Sequence, residues 1–301
     1  MSRVYQNTYS PIVNSSLVGG RLTLESGVSI SSTDQTAKTT LYYTPHIHSS
    51  IGLYNTTTLV WVPYTFTERS LALGTLSSGF NYDVFIYSNA GTLTLAASVW
   101  TSNTARATAI SLQDGVYVKT SDKSYRYLGT FRTTTTTTTE DSEAKRFLYN
   151  CSNQVSRNSL GNLGYVNDNT SVSFTYSATT SYGPINGGTA NKCEWVNGLT
   201  STVLMSSLLT VSIVSGAAQV SIGIDTTSGA NFVVAQPEGP STSTAYIRGV
   251  SLSQAFTLGY HYISLNATAT PAGTLTLWKD AGRAGGTVDP YYSFISAQLN
   301  M

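Results

Sequence analysis

Charge is the scarcest commodity in this sequence. Only 16 of its 301 residues are Lys or Arg and 15 are Asp or Glu, so charged residues make up 10% of the chain, against about 25% in a typical soluble protein. The basic residues are thinly spread and the formal net charge is +1. No basic stripe exists to neutralise a phosphate backbone, which excludes nucleic acid as a partner. Long apolar runs are also missing: nothing approaches the roughly 20 residues of a membrane span, and the start MSRVYQNTYS lacks the charged-then-apolar order of a secretion signal. The chain is expected to be made in the cytoplasm and kept there until something else releases it. Cys151 and Cys193 are the only cysteines. Far apart and in no metal-type spacing, they read as reduced thiols of a cytosolic product.

The same scarcity bears on chemistry. Glycoside cleavage needs two positioned carboxylates, and no pair stands out among the acids. No G-x-S-x-G elbow sits between a strand and a helix, so nucleophilic catalysis has no support. His46 and His48 are two apart, which on a strand would put both rings on one face, but no cysteine or acid cluster accompanies them and an exposed turn is the expectation. His261, between Tyr260 and Tyr262 in an apolar run, reads as a hydrogen-bonded core or interface histidine. Asn-x-Ser/Thr matches such as Asn55-Thr56-Thr57 are expected by chance in so Thr-rich a chain. The expectation is a protein that is not an enzyme and holds no metal and no cofactor.

What fills the gap left by charge is Ser, Thr, Gly and 20 Tyr. Thr and Tyr suit a pleated, half-wet surface better than Lys or Glu do, so the composition favours β structure before any pattern is read. Short apolar runs separated by turn signals begin at Arg21: RLTLESG, TLYYTP, SIGLYN, LVWVPYTF, FNYDVFIYS, GTLTLAASVW, GVYVKTSD and YRYLGTF. Pro63 cannot donate to a ladder, which puts LVWVPYTF at an edge or a bulge. NYDVFIYS alternates in two registers, as a central strand does, and Ser88-Asn89-Ala90-Gly91 turns it into the next strand as a hairpin. Beyond Val155 the runs resume, among them SVSFTYSATT, STVLMSSLLTVSIV, AAQVSIGID, GYHYISLNATA, GTLTLWKD and YYSFISAQL. The fold expected is all-β: two β-sandwich or jelly-roll-like domains at 20–138 and 156–301. No repeat of 20 to 50 residues points to a solenoid or propeller.

One segment breaks this texture. After the Thr133 to Thr139 run comes EDSEAKRFLYN, with Thr139 placed to cap, Glu140, Asp141 and Glu143 in the first turn, and Lys145 and Arg146 later. That charge order predicts a short helix within 139–155 linking the two domains, with Ala144, Phe147 and Leu148 on its apolar stripe. Residues 1–19 have the composition of an extended arm. It is either a frayed terminus or an attachment arm in which Tyr5, Tyr9, Ile12 and Val13 anchor on a neighbouring subunit. Phe147 and Leu148 are the other interface candidates, and Tyr291 and Tyr292, after the glycine-rich GRAGGT, are candidates for an outward contact. Tyrosine buries area at low entropic cost while keeping a polar tip, although it also serves simply as a β-former.

The stretch GGRLTLESG, LYYTP, IGLYN, YTFTERSLALGTLSSGFNYDVFIY and YLGTFRTTTTTTTEDSEAKRFLYN, covering about residues 20 to 150, resembles a module recurrent in structural proteins of tailed bacteriophages. The threonine run followed by a Glu-Asp helix is its most specific mark. The end of the chain, GYHYISL, GTLTLWKD and YYSFISAQL, is similar to the last strands of jelly-roll tips on phage fibres and decorations. The sequence departs from the module's usual form at His46-Ile47-His48 and at Asn150-Cys151-Ser152. The resemblance implies a virion surface protein that decorates or cements the capsid, as a cement protein or head fibre, with a receptor-binding tail-fibre tip whose second domain holds a host surface glycan as the alternative. It also implies a homotrimer, and the major capsid protein or other virion proteins as partners.

Overall fold

The computed structural model describes residues 14–161, 172–175, 181–185, 192–213, 216–236, 246–269, 274–277 and 294–301. Among them there is no α-helix; the 3-10 turn Asn14–Ser16 precedes an all-β chain. The first strands are β1 (Gly20–Thr23), β2 (Gln35–Lys38), β3 (Thr40–Pro45), β4 (Ser50–Asn55), β5 (Val60–Thr65), β6 (Arg69–Ala72), β7 (Asn81–Asn89), β8 (Thr92–Val99), β9 (Ile110–Gln113), β10 (Val116–Lys119) and β11 (Asp122–Arg132). Next come β12 (Thr139–Asp141), β13 (Lys145–Arg146), β14 (Leu148–Asn150), β15 (Ser156–Leu160), β16 (Val172–Thr175), β17 (Gly183–Pro184), β18 (Lys192–Asn197) and β19 (Ser201–Ile213). The last are β20 (Ala218–Ile224), β21 (Phe232–Ala235), β22 (Tyr246–Phe256), β23 (Gly259–Ala269), β24 (Thr274–Leu277) and β25 (Phe294–Asn300).

The chain forms two compact units, one of Met1–Thr139 with Asn150–Asn153, the other of Glu140–Tyr149 with Gln154–Met301. In the first, an antiparallel sheet runs β8-β7-β11-β10-β9, with β1-β3-β6 and the β4–β5 hairpin as smaller ladders. β7 is the central strand its two-register alternation predicts: Asn81 to Ile86 are buried in unbroken succession. The turn after it holds Ala90 at φ 48° and Gly91 at φ 89°, the pair of left-handed residues a two-residue hairpin turn requires. Pro63 pairs with Gly52 across β4–β5, a two-stranded ladder whose outer edge needs no N–H from it. Arg126 of β11 is buried and donates to the carbonyls of Leu17 (2.9 Å) and Gly52 (2.8 Å), fastening β4 and the segment before β1 to the sheet.

The second unit is sandwich-like. One sheet contains β18-β23-β20-β21, with β13 parallel to β18; the other runs β15-β25-β19-β24-β16, with β22 on the far side of β19. Ser201–Ile213 form a single long strand: Val203, Met205, Leu209 and Val211 are buried, while Thr202 and Leu204 face outward. β25 alternates likewise through buried Ile295, Ala297 and Leu299. Trp195 and Cys193 of β18 fill the core opposite, both fully buried.

The helix expected within 139–155 is absent, and the reason lies in its own charges. Asp141 of β12 pairs with Arg146 of β13 across a tight turn closed by Ser142 N–H to Lys145 O (2.9 Å) and Lys145 N–H to Ser142 O (3.2 Å). The acids lie on one arm and the bases on the other, so Arg146 bonds Asp141 (3.2 Å) and Lys145 bonds Glu140 (3.4 Å) across the strands. An acids-then-bases order satisfies a helix dipole and a hairpin equally well. Thr139 does not cap; its hydroxyl donates to Arg132 O (2.6 Å) at the neck of a loop in which Thr134, Thr135 and Thr138 hydroxyls bond one another. Phe147, Leu148 and Tyr149 are all buried in succession, the pattern of a strand covered on both faces and not of a helical stripe.

Candidate binding cleft

The hairpin β4–β5 ends in a turn built by Asn55. Its side-chain carbonyl accepts the N–H groups of Thr57 (2.9 Å) and Thr58 (3.0 Å), and Leu59 N–H bonds its backbone carbonyl (2.8 Å). This turn and the tip of the β7–β8 hairpin border an open cleft of about 290 Å³, into which Tyr54, Asn55, Thr56, Tyr64, Ser88 and Ser124 contribute. Leu53, Ala90 and Gly91 complete the lining, and none of these described lining residues carries a charge. Tyr54 is held edge-on to Trp61 (ring centroids 5.5 Å apart). Trp61 is itself fixed by an Nε1–H bond to Asp114 (3.0 Å) and by the Arg126 guanidinium, 5.7 Å from its ring. Hydrogen bonds from the Gln113 side chain and from Trp61 hold the exposed Asp114 carboxyl below its ordinary range. Ser88 Oγ accepts Gly91 N–H (3.2 Å), and Ser124 Oγ donates to Asp122 (2.7 Å). A half-buried Tyr64 ring and neutral polar groups can orient a small uncharged ligand.

No protein-family model matches the chain, and no curated protein matches it. Solved structures with a faint likeness include a Bacillus thuringiensis Cry1Da tryptic core variant, at 6% identity and a TM-score of 0.21, covering 88% of this chain and 48% of that one. A second is the wild-type Bacillus thuringiensis insecticidal crystal protein Cry7Ca1, at 8% identity and a TM-score of 0.19, covering 94% of this chain and 50% of that one. The chain spans about half the length of both. Likenesses at that level carry no argument about it.

The titratable groups that are buried elsewhere are tied down. Asp83 accepts Arg106 Nε–H (2.7 Å) and Thr130 Oγ1–H (2.7 Å), with the guanidinium stacked over Trp100 at 4.6 Å. Burial raises the Asp83 carboxyl above its ordinary value and the Arg106 charge pulls against it. His261 is the core histidine expected: Nδ1 lies 2.8 Å from Asp225 and Nε2 3.1 Å from Thr257 O, with the ring against Trp195 and Phe256. His46 and His48 sit in the connection after β3 and not on a strand, bonded to Ser29 Oγ (2.9 Å) and Ser50 N–H (3.2 Å). Among the described residues no group of three or more His, Cys, Asp or Glu comes together to hold a metal. Both cysteines are free; burial pushes the thiols up to about 11 at Cys151 and about 12 at Cys193, which leaves them inert.

Of the contact residues expected from sequence, Tyr5, Tyr9, Ile12, Val13, Tyr291 and Tyr292 lie outside the described residues. Phe147 and Leu148 are each 4% exposed, and Phe147 meets Tyr260 edge-on at 6.0 Å. The cleft itself was not among the expected sites. Asn55-Thr56-Thr57, set aside as a chance match, is the signature of the turn that forms its rim.

Proposed function

We propose that this chain is a non-catalytic structural protein on the surface of a tailed-bacteriophage virion, where it decorates or cements the capsid. The observation that supports the reading is that residues 20–139 of the stretch resembling the phage module, with Asn150, lie in one compact unit, although Glu140–Tyr149, the second half of its most specific mark, belong to the other. The buried polar groups are in keeping with a structural role: Asp83 and Arg106 pair with each other, Arg126 bonds backbone carbonyls, and His261 lies between Asp225 and the Thr257 carbonyl. In this reading the chain assembles as a homotrimer in the host bacterial cytoplasm and binds the major capsid protein or another virion protein. The test is antibody labelling of intact virions under the electron microscope. Label on heads is expected, and bare particles with the antigen left in the lysate would overturn the reading. A tail-fibre role holding a host glycan is the second reading. The uncharged aromatic cleft favours it, and label confined to tails would select it.

A further inference from the structure

We propose that the cleft between the β4–β5 turn and the β7–β8 hairpin tip binds a neutral sugar unit of a glycan. This rests on the glycan-holding reading and places the ligand in the first unit. Its volume, about 290 Å³, lies at the lower end of the roughly 300–1,000 Å³ of small-molecule sites. That suits one small unit of a larger ligand and not an extended peptide or a dinucleotide. The absence of charge among the described lining residues removes the means of holding a phosphate, sulfate or carboxylate.

The hydrogen-bonding valences left over are of both signs. Asn55 spends its carbonyl on the turn, and its amide hydrogens have no partner among the described residues. Ser88 Oγ accepts from Gly91, which leaves its hydrogen to donate; Ser124 Oγ donates to Asp122, which leaves its lone pairs to accept. The Tyr64 hydroxyl has no partner among the described residues either. A sugar hydroxyl is donor and acceptor at once and can use both. Tyr64, half-buried, adds a ring that can cover the apolar C–H face of a pyranose and a hydroxyl for its edge, while Tyr54, 9% exposed and packed with Trp61 in the core, is a fixed part of the lining. Tyr54 is fixed through Trp61, so little side-chain entropy remains to be lost on binding.

The full chain is to be tested on an array of neutral, sialylated and sulfated oligosaccharides, with saturation-transfer NMR against free glucose, galactose, mannose and N-acetylglucosamine. Binding to a neutral sugar is expected. Tyr64→Ala should weaken it by about tenfold or more, and Tyr64→Phe, which keeps the ring, by only about threefold. Ser88→Ala, at a half-buried hairpin position, is the second variant and should also weaken it. Thermal melts of all three confirm folding. Neutral-sugar binding that survives both Tyr64→Ala and Ser88→Ala would overturn the cleft while leaving the glycan-holding reading in place. A preference for charged glycans, or no binding to any neutral sugar, would overturn the inference outright.

Discussion

Replacing Arg106 by Met would expose what the buried ion pair does. The Asp83 side chain is 1% exposed and that of Arg106 10%, with 2.7 Å between them, so the substitution leaves a carboxylate inside the sheet facing Thr130 and no cation. Breaking a buried pair on one side costs about 3–5 kcal/mol, because the remaining charge is desolvated and uncompensated. The guanidinium also stacks over Trp100 at 4.6 Å and Tyr127 at 5.3 Å, contacts worth about 0.5–2 kcal/mol, of which the Met side chain recovers part through packing. Against a total stability of about 5–15 kcal/mol this is a large fraction.

The pH dependence separates an unpaired charge from a mere cavity. Burial already raises Asp83, and loss of the Arg106 charge removes the chief pull in the other direction, so its folded pKa climbs further above the unfolded value of about 3.9. With the folded carboxyl holding its proton more tightly than the unfolded one, stability falls as pH rises through this window. The deficit of Arg106→Met relative to the parent chain should therefore be full at neutral pH, shrink as pH falls through the raised pKa, and be smallest below about 3.9. Urea unfolding of the full chain, followed by tryptophan fluorescence from pH 4 to 8, measures it. The double variant Asp83→Asn/Arg106→Met, which carries no buried charge, should be more stable at pH 7 than Arg106→Met. A deficit that is flat with pH, or below about 1 kcal/mol, would refute the claim that the pair neutralises a buried charge.

Four further outcomes are expected. Gly52→Ala should destabilise the first unit by about 1–3 kcal/mol, because a Cβ there would sit 1.8 Å from the Asn14 carbonyl oxygen; limited proteolysis should then cut near the Asn14–Ser16 turn first. Burial works against the Glu68 carboxylate, but the donors Ser26, Thr44 and Gly27 outweigh it and hold its pKa below the ordinary range. It therefore stabilises above an unfolded pKa of about 4.3 and loses that contribution as pH falls through the folded value, so Glu68→Gln should flatten the acid limb of a stability profile. Phe147→Ala should cost about 3–5 kcal/mol in a thermal melt, since the ring is 4% exposed against Tyr260; no shift would mean the aromatic contact is not used. Light scattering on the purified chain should give a trimer, and a monomer at micromolar concentration would sink the three-fold geometry.

Strands were legible wherever local signals agreed. TLYYTP, SIGLYN and GYHYISLNATA are strands at the same bounds that their apolar runs mark, and Asn89-Ala90-Gly91 turns where the left-handed residues allow it. Glu140 to Arg146 misled because charge order is one-dimensional. Acids followed by bases describe a helix dipole and two arms of a hairpin alike, and what decided was Arg146 reaching the Asn158 carbonyl (2.9 and 2.7 Å), a partner twelve residues on. The cleft was illegible for the same reason. Tyr54, Tyr64, Ser88 and Ser124 come from four separate strands, and nothing local marks them off from the other hydroxyl-bearing residues of the chain.

Scarce charge, the first feature of the sequence, takes on a physical meaning in the fold. Buried arginines here act largely as donors to backbone carbonyls: Arg126 to Leu17 and Gly52, Arg21 to Asn153 and Arg146 to Asn158. Each acceptor lies where a carbonyl faces a segment with which it forms no ladder, and a planar guanidinium with five donors can serve two such groups at once. Burial lowers the Arg126 pKa, but an arginine stays charged even so, which a lysine in that place would not be bound to do. With charge scarce overall and these arginines turned inward, the outward surface is rich in hydroxyls and amides. Such a surface recognises partners through shape and neutral hydrogen bonds, whose strength depends little on salt, in contrast to exposed ion pairs. The proposed attachment and glycan binding should therefore persist at high ionic strength, and raising the salt from 50 mM to 1 M should leave both largely unchanged.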